Sequence, residues 1–172
     1  APTQVAPPRI QKPFAAMFVV KRNGQQEEVK FDSITKRIRV LCDGLNSSFV
    51  DPVPITQKVV EGFFNGISTT DIDTLAAETC AYMSQKHPDF SILAARIAVS
   101  SLHKNTSDSM VETCRALYDY HDAQGRPAGL IADDVWAFIR DNASEIDAAM
   151  DYSRDFDYDY FGFKTLEKSY LL

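Results

Sequence analysis

The chain is short of the features that mark the commoner nucleotide and metal enzymes. Its seven glycines match neither GxGxxG nor GxxxxGKS/T. A dinucleotide crevice or a P-loop therefore has no glycine turn to build on. GxSxG and HExxH are both missing, which removes the nucleophile elbow and the two-histidine zinc helix. The three cysteines, Cys42, Cys80 and Cys114, stand far apart, without a CxxC or a Cys/His cluster of zinc spacing. An odd, scattered set fits a reducing compartment and no disulfide framework. Cys42 and Cys80 fall on apolar helix faces and read as buried free thiols. No apolar run approaches the roughly 20 residues of a membrane span, and the mean hydropathy is −0.22. The N-terminus lacks the apolar stretch of a signal peptide.

What remains is an ordinary globular composition, 45% apolar and 24% charged in 172 residues. The formal charge of −6 disfavours general nucleic-acid binding, yet leaves room for a small polyanion at a local site of opposite sign. That charge is uneven. Residues 1–104 carry 12 Lys/Arg against 10 Asp/Glu, and residues 105–172 carry 6 against 14. The shift points to two structural units with a boundary near residue 105.

Residues 1–16, with Pro2, Pro7, Pro8 and Pro13, read as an extended leader. Two strand-like runs, from Phe18 to Arg22 and from Gln25 to Phe31, flank Asn23-Gly24, the strongest short hairpin signal. A two-residue loop would pair residue 22 with 25, 20 with 27 and 18 with 29. Phe18, Val20 and Val29 would then share a face with Glu27, and a carboxylate on an apolar face points to a ligand or partner, unless the register differs.

Four helical stripes follow. The first holds Ile34, Ile38, Leu41, Cys42 and Leu45, after a candidate N-cap at Asp32. The second holds Ile55, Val59, Val60, Phe63 and Phe64, opened by Pro54 and closed near Gly66. The third, from Ile72 to Met83, follows the capping signal Ser68-Thr69-Thr70-Asp71. The fourth, from Pro88 to Lys104, is apolar around most of its girth and reads as the most buried element. A hairpin on a four-helix bundle is the expected first unit. Beyond it, Met110 to Tyr118, Ile131 to Ile139 and Ile146 to Met150 mark further helices. Asp155, Asp157 and Asp159 occupy the first, third and fifth positions of a calcium loop, but the turn glycine and the bidentate acid come late. That segment reads as a solvated strand or loop with alternating faces. The chain ends on Tyr-Leu-Leu without a cap, as a cut segment would. His87, His103 and His121 are scattered and read as packing or surface residues.

Lys21 and Arg22 flank the hairpin turn, Lys104 ends the fourth helix, and Ser68-Thr69-Thr70 opens the third. A helix N-terminus is a ready anion site, and two added lysines could make it a triphosphate pocket; on spacing alone the alternative is that the hairpin lysines are simply solvated.

Val20-Lys21-Arg22-Asn23-Gly24, then Glu27, then Phe31-Asp32-Ser33-Ile34, resembles the opening motif of the ATP-cone, an allosteric nucleotide-binding domain of ribonucleotide reductases. Residues 69–80, 86–104 and 156–172 resemble the N-terminal region of the eukaryotic-type class I large subunit. The similarity runs over residues 17–172. It implies a mainly α fold: an ATP-cone four-helix bundle capped by a small β-hairpin at 17–108, and the first helices of the next domain at 109–172. It implies a cytoplasmic ribonucleoside-diphosphate reductase as parent, with the radical and redox residues beyond Leu172, so that this segment is not itself catalytic. It implies ATP as activator and dATP as inhibitor, bound with Mg²⁺. Lys21 and Lys104 match phosphate-contacting lysines, with Arg22 in the same motif. Glu27 matches an acid at the nucleoside end, Thr69 a threonine opening the third helix, and Asp73 a position tied to dATP sensing. Asp32 matches a surface of the dATP-induced hexamer. The implied partners are further large subunits, as dimer and hexamer, and a radical-generating small subunit, with no nucleic acid and no membrane. Two residues depart from the pattern: Asn23 stands in place of the usual Asp, and Ser33 in place of a common lysine. The alternative reading is a degenerate cone serving only in assembly.

Overall fold

A computed structural model describes residues 17–170, so the Pro-rich leader at 1–16 lies outside the described residues. Strand β1 (Phe18–Val20) pairs antiparallel with β2 (Gln26–Glu28). The turn is where the sequence signal points, but it holds three residues rather than two. Val19 faces Glu27, Val20 faces Gln26, and the Gly24 amide donates to the Lys21 carbonyl at 2.9 Å. The reason is the backbone. Gly24 takes φ +80°, while no non-glycine among the described residues has positive φ. Asn23 therefore does not adopt the left-handed conformation that a two-residue turn needs, and a turn ending in left-handed glycine adds one residue to the loop. A one-residue change of register flips the faces. Val19 points inward at 7% exposure, and Phe18 and Val20 are only half-buried. Glu27 still lies on the inner face, but opposite Val19.

Strand β3 (Ile67–Ser68) adds parallel to β1, giving the order β2-β1-β3. It runs straight into helix α3 (Thr69–Met83). Ser68 is the N-cap, accepting from the Asp71 amide at 2.9 Å and donating its hydroxyl to the Asp71 carboxylate at 2.8 Å. Replacing Ser68 with alanine leaves that amide without its partner. The expected loss is about 1 kcal/mol in a urea melt.

Helix α1 (Phe31–Leu41) starts one residue before Asp32, so Lys30 is the N-cap and Asp32 sits exposed in the first turn. Helix α2 (Pro52–Glu61) is capped by Asp51, whose side chain accepts from the Val53 amide. It begins at Pro52 rather than Pro54 because proline suits the first helical turn, and it ends well before Gly66. Helix α4 (Asp89–Asn105) buries Phe90, Leu93, Ala94, Ala95, Ile97, Ala98 and Val99. It packs most extensively on α3, and Ala76, Ala77 and Cys80 of α3 belong to the same buried core. Ile92 is the exception in its apolar girth, at 42% exposure. Burial raises the Cys80 thiol to about 12, which makes it inert.

Helices α5 (Met110–Tyr118), α6 (Asp133–Asp141) and α7 (Ala143–Ala149) form a side unit. Tyr118 stacks on Trp136, and Asp147 accepts from the Ser109 hydroxyl and the Val111 amide. The acid–aromatic segment is not an alternating strand. Tyr152–Asp157 is a 3-10 helix, and Asp159 caps helix α8 (Tyr160–Ser169) through the Gly162 amide at 2.6 Å. Tyr160 and Phe163, one turn apart, insert into the core shared with α4. Docking of that aromatic pair outweighs the local alternation. His103 of α4 meets Asp155 at 2.7 Å, which fastens the 3-10 segment to the bundle. No helix among the described residues is long and apolar enough to cross a membrane.

Candidate functional site

Hairpin, α1, α3 and the end of α4 enclose a cavity of about 700 Å³, within the range of small-molecule sites. Lys21, Arg22, Glu27, Thr69, Asp73 and Lys104 all line it. These residues are spread over more than eighty positions of sequence, and three different elements bring them together. Asp32, by contrast, is not among the lining residues; it is exposed on the first turn of α1.

Glu27 lies between two lysines. Lys21 Nζ is 2.7 Å from one of its oxygens and Lys30 Nζ 2.9 Å from the other. Hydrogen bonds from Lys21 and Lys30 hold its carboxyl down to about 2. Glu27 therefore stays ionised until the pH falls through about 2, and the clamp is present above the ordinary carboxylate range. A carbon-detected NMR titration is expected to place the Glu27 midpoint more than one pH unit below an ordinary glutamate. A midpoint near 4.5 would mean that the lysines do not hold it.

Asp73 is the buried charge of the site, at 5% exposure. Its Oδ1 accepts from Arg37 Nε at 2.8 Å, and its Oδ2 from Arg37 Nη2 and Arg22 Nη2, both at 2.9 Å. The Arg37 fork thus grips the carboxylate through both oxygens, the strong geometry for such a pair. Arg22 is held further by Asn105 Oδ1 at 2.7 Å and by the Ser101 hydroxyl. Burial lowers the pKa of the Arg37 guanidinium, with Asp73 opposing and Arg22 adding repulsion; a guanidinium remains charged regardless.

Arg37 and Lys30 were not singled out from the sequence. A signal for Arg37 existed. Asp73 interrupts the apolar stripe of α3 at a core position, and a buried acid needs a cation. Arg37 stands beside Ile38 on the apolar side of α1. Lys30 left no such mark, since it precedes its helix.

In all, Lys21, Arg22, Lys30, Arg37 and Lys104 face three carboxylates, Glu27, Glu28 and Asp73, around the cavity. The opening of α3 adds its helix N-terminus at Thr69. The fold and its recess thus define a small helical domain with a pocket beneath a hairpin whose lining carries more cations than carboxylates. Residues 17–105 match the ATP cone domain, and the chain belongs to that family. Over 156 residues it is 54% identical to a ribonucleoside-diphosphate reductase large subunit of Plasmodium falciparum (isolate Dd2), covering 91% of this chain and 19% of that protein. The corresponding subunit of Arabidopsis thaliana is 54% identical over 157 residues, at 91% and 19% coverage. That of Caenorhabditis elegans is 49% identical over 160 residues, at 92% and 20%. The chain therefore spans about a fifth of the length of these curated relatives.

Proposed function

We propose that the cavity binds ATP and dATP as allosteric effectors, and that this chain is the regulatory N-terminal part of a cytoplasmic ribonucleoside-diphosphate reductase large subunit. The observation that carries the reading is the convergence of all six expected nucleotide-binding residues on one cationic cavity. Lys21, Arg22, Lys104 and the α3 N-terminus at Thr69 receive the triphosphate, and Glu27 marks the nucleoside end. Asp73 acts through the two arginines it holds, and so sets the shape of the pocket around the sugar. Because Glu27 and Asp73 are each engaged by two cations, Mg²⁺ would arrive on the phosphate oxygens, where a magnesium ion is commonly held.

In this reading residues 17–108 are the sensor and residues 109–172 open the next domain. The catalytic residues belong to the remainder of the parent, which converts ribonucleoside diphosphates to deoxyribonucleotides. Exposed Asp32 belongs to the contact between large subunits in the dATP-induced hexamer, and the radical-generating small subunit meets the rest of the parent. Thermal unfolding with Mg²⁺ and a large excess of nucleotide tests the sensor role. ATP and dATP are each expected to raise the midpoint by about 5 °C by mass action. An unchanged midpoint with both would overturn it.

A further inference from the structure

The last turn of α4 is held from two sides. On one side Arg22 of the hairpin donates to the Ser101 hydroxyl at 3.2 Å and to Asn105 Oδ1 at 2.7 Å. On the other side stands His103, which does not line the cavity. Its Nε2 lies 2.7 Å from Asp155 Oδ2 of the 3-10 helix. An ionised carboxylate only accepts, so the ring nitrogen is the donor. Tyr152 and Phe156 of the same segment meet the imidazole edge-on, with ring centroids 6.2 and 5.6 Å away. Lys104, the next residue, does line the cavity.

A helix end needs such holds. Its last carbonyls lack intrahelical partners, and the backbone there frays. In α4 the Thr106 amide and hydroxyl both donate to the Leu102 carbonyl, which ties one of those groups. Lys104 is exposed, and its side chain forms no ion pair among the described residues. Its place therefore depends on the backbone that carries it. The hairpin grips that backbone through Arg22, which is already shared with Asp73. His103 supplies the second grip, and its partner lies 52 positions further along the chain. Asp155 is thus well outside the ATP cone match, which ends at residue 105.

We propose that Asp155 is a positioning residue for the nucleotide cavity. Through His103 it fixes the last turn of α4, and so sets Lys104 where a phosphate meets it. The sensor is then completed by the unit that follows it. By reciprocity, an anion on Lys104 strengthens the docking of the 3-10 helix. The effect on ligand affinity rests on the nucleotide reading of the cavity, while the grip on the helix end does not.

Two measurements on this chain test the role. The first is amide hydrogen exchange without ligand. Asp155→Ala is expected to speed exchange at residues 103–106 and to leave the middle of α4 unchanged, because only the end is released. The second is calorimetric titration with ATP and Mg²⁺. Asp155→Ala is expected to weaken binding about fivefold. Asp155→Asn, whose amide oxygen still accepts from His103, is expected to bind as the wild type does. In a Lys104→Ala background Asp155→Ala is expected to add no further loss, since it acts through that lysine. Asp147→Ala, which loosens α7 from α5 without touching α4, is expected to leave ATP affinity unchanged. Unchanged exchange at 103–106, an equal loss in the Lys104→Ala background, or the same loss from Asp147→Ala would each overturn the role. If exchange quickens as expected but the wild-type chain binds no ATP, the grip on α4 stands and the nucleotide reading falls. Circular dichroism of the variants shows that they fold.

Discussion

Replacing Asp73 with alanine is expected to lower stability by about 3 kcal/mol in urea unfolding. The carboxylate is nearly sealed from water, with its side chain at 6% exposure, while Arg22 and Arg37 keep 28% and 26%. Removing it leaves two guanidinium groups side by side and loses three hydrogen bonds at 2.8–2.9 Å. Breaking a buried pair from one side costs more than the pair is worth, because the surviving charge is stranded. The arginines' partial exposure puts the expected cost at the lower end of the usual 3–5 kcal/mol. A double variant, Asp73→Ala with Arg37→Met, is expected to recover part of the loss, since the stranded charge goes as well. A cost under about 1 kcal/mol for Asp73→Ala would show that water already compensates the site.

Lys104→Ala is expected to weaken ATP binding by more than tenfold in a calorimetric titration while changing stability little. The residue is exposed at the end of α4, with no ion pair among the described residues. Its removal therefore leaves the fold intact. Lys21 and Lys30 are already shared with Glu27, and Arg22 and Arg37 with Asp73. That makes Lys104 the one cation lining the cavity that is uncommitted to a carboxylate among the described residues. Phosphate oxygens meet it without first breaking an ion pair, so its contribution to binding is undiluted. One charge-assisted contact to a phosphate corresponds to about 1.5–3 kcal/mol, or a factor of ten or more.

How much of this was legible in the sequence depended on distance along the chain. The Ser68 cap, the buried face of α4 and the position of the hairpin turn are local, and residue type alone announced them. The hairpin register was not, because it hung on whether Asn23 would take positive φ, and the chain settled that question with Gly24 alone. The segment from Asp155 to Phe163 misled for the opposite reason. Its alternation of acids and aromatics is real, but Tyr160 and Phe163 lie one turn apart and dock on α4. Asp159 followed by Gly162 was a usable capping signal within it. In the site, the individual residues were named from the resemblance, but their pairing was invisible. Nothing in the spacing of Arg22, Arg37 and Asp73 states that one carboxylate holds two arginines. That geometry exists only once α1, α3 and the hairpin are packed together.

The central claim is that ATP occupies the cavity beneath the hairpin. Amide chemical-shift mapping of the chain during an ATP and Mg²⁺ titration tests it most directly. The account predicts saturable shifts over the hairpin from Lys21 to Lys30, at Thr69 and Asp73, and at the end of α4 around Lys104, with α6 and α7 unmoved. Shifts confined to α6 and α7, or none in a folded chain, would contradict it.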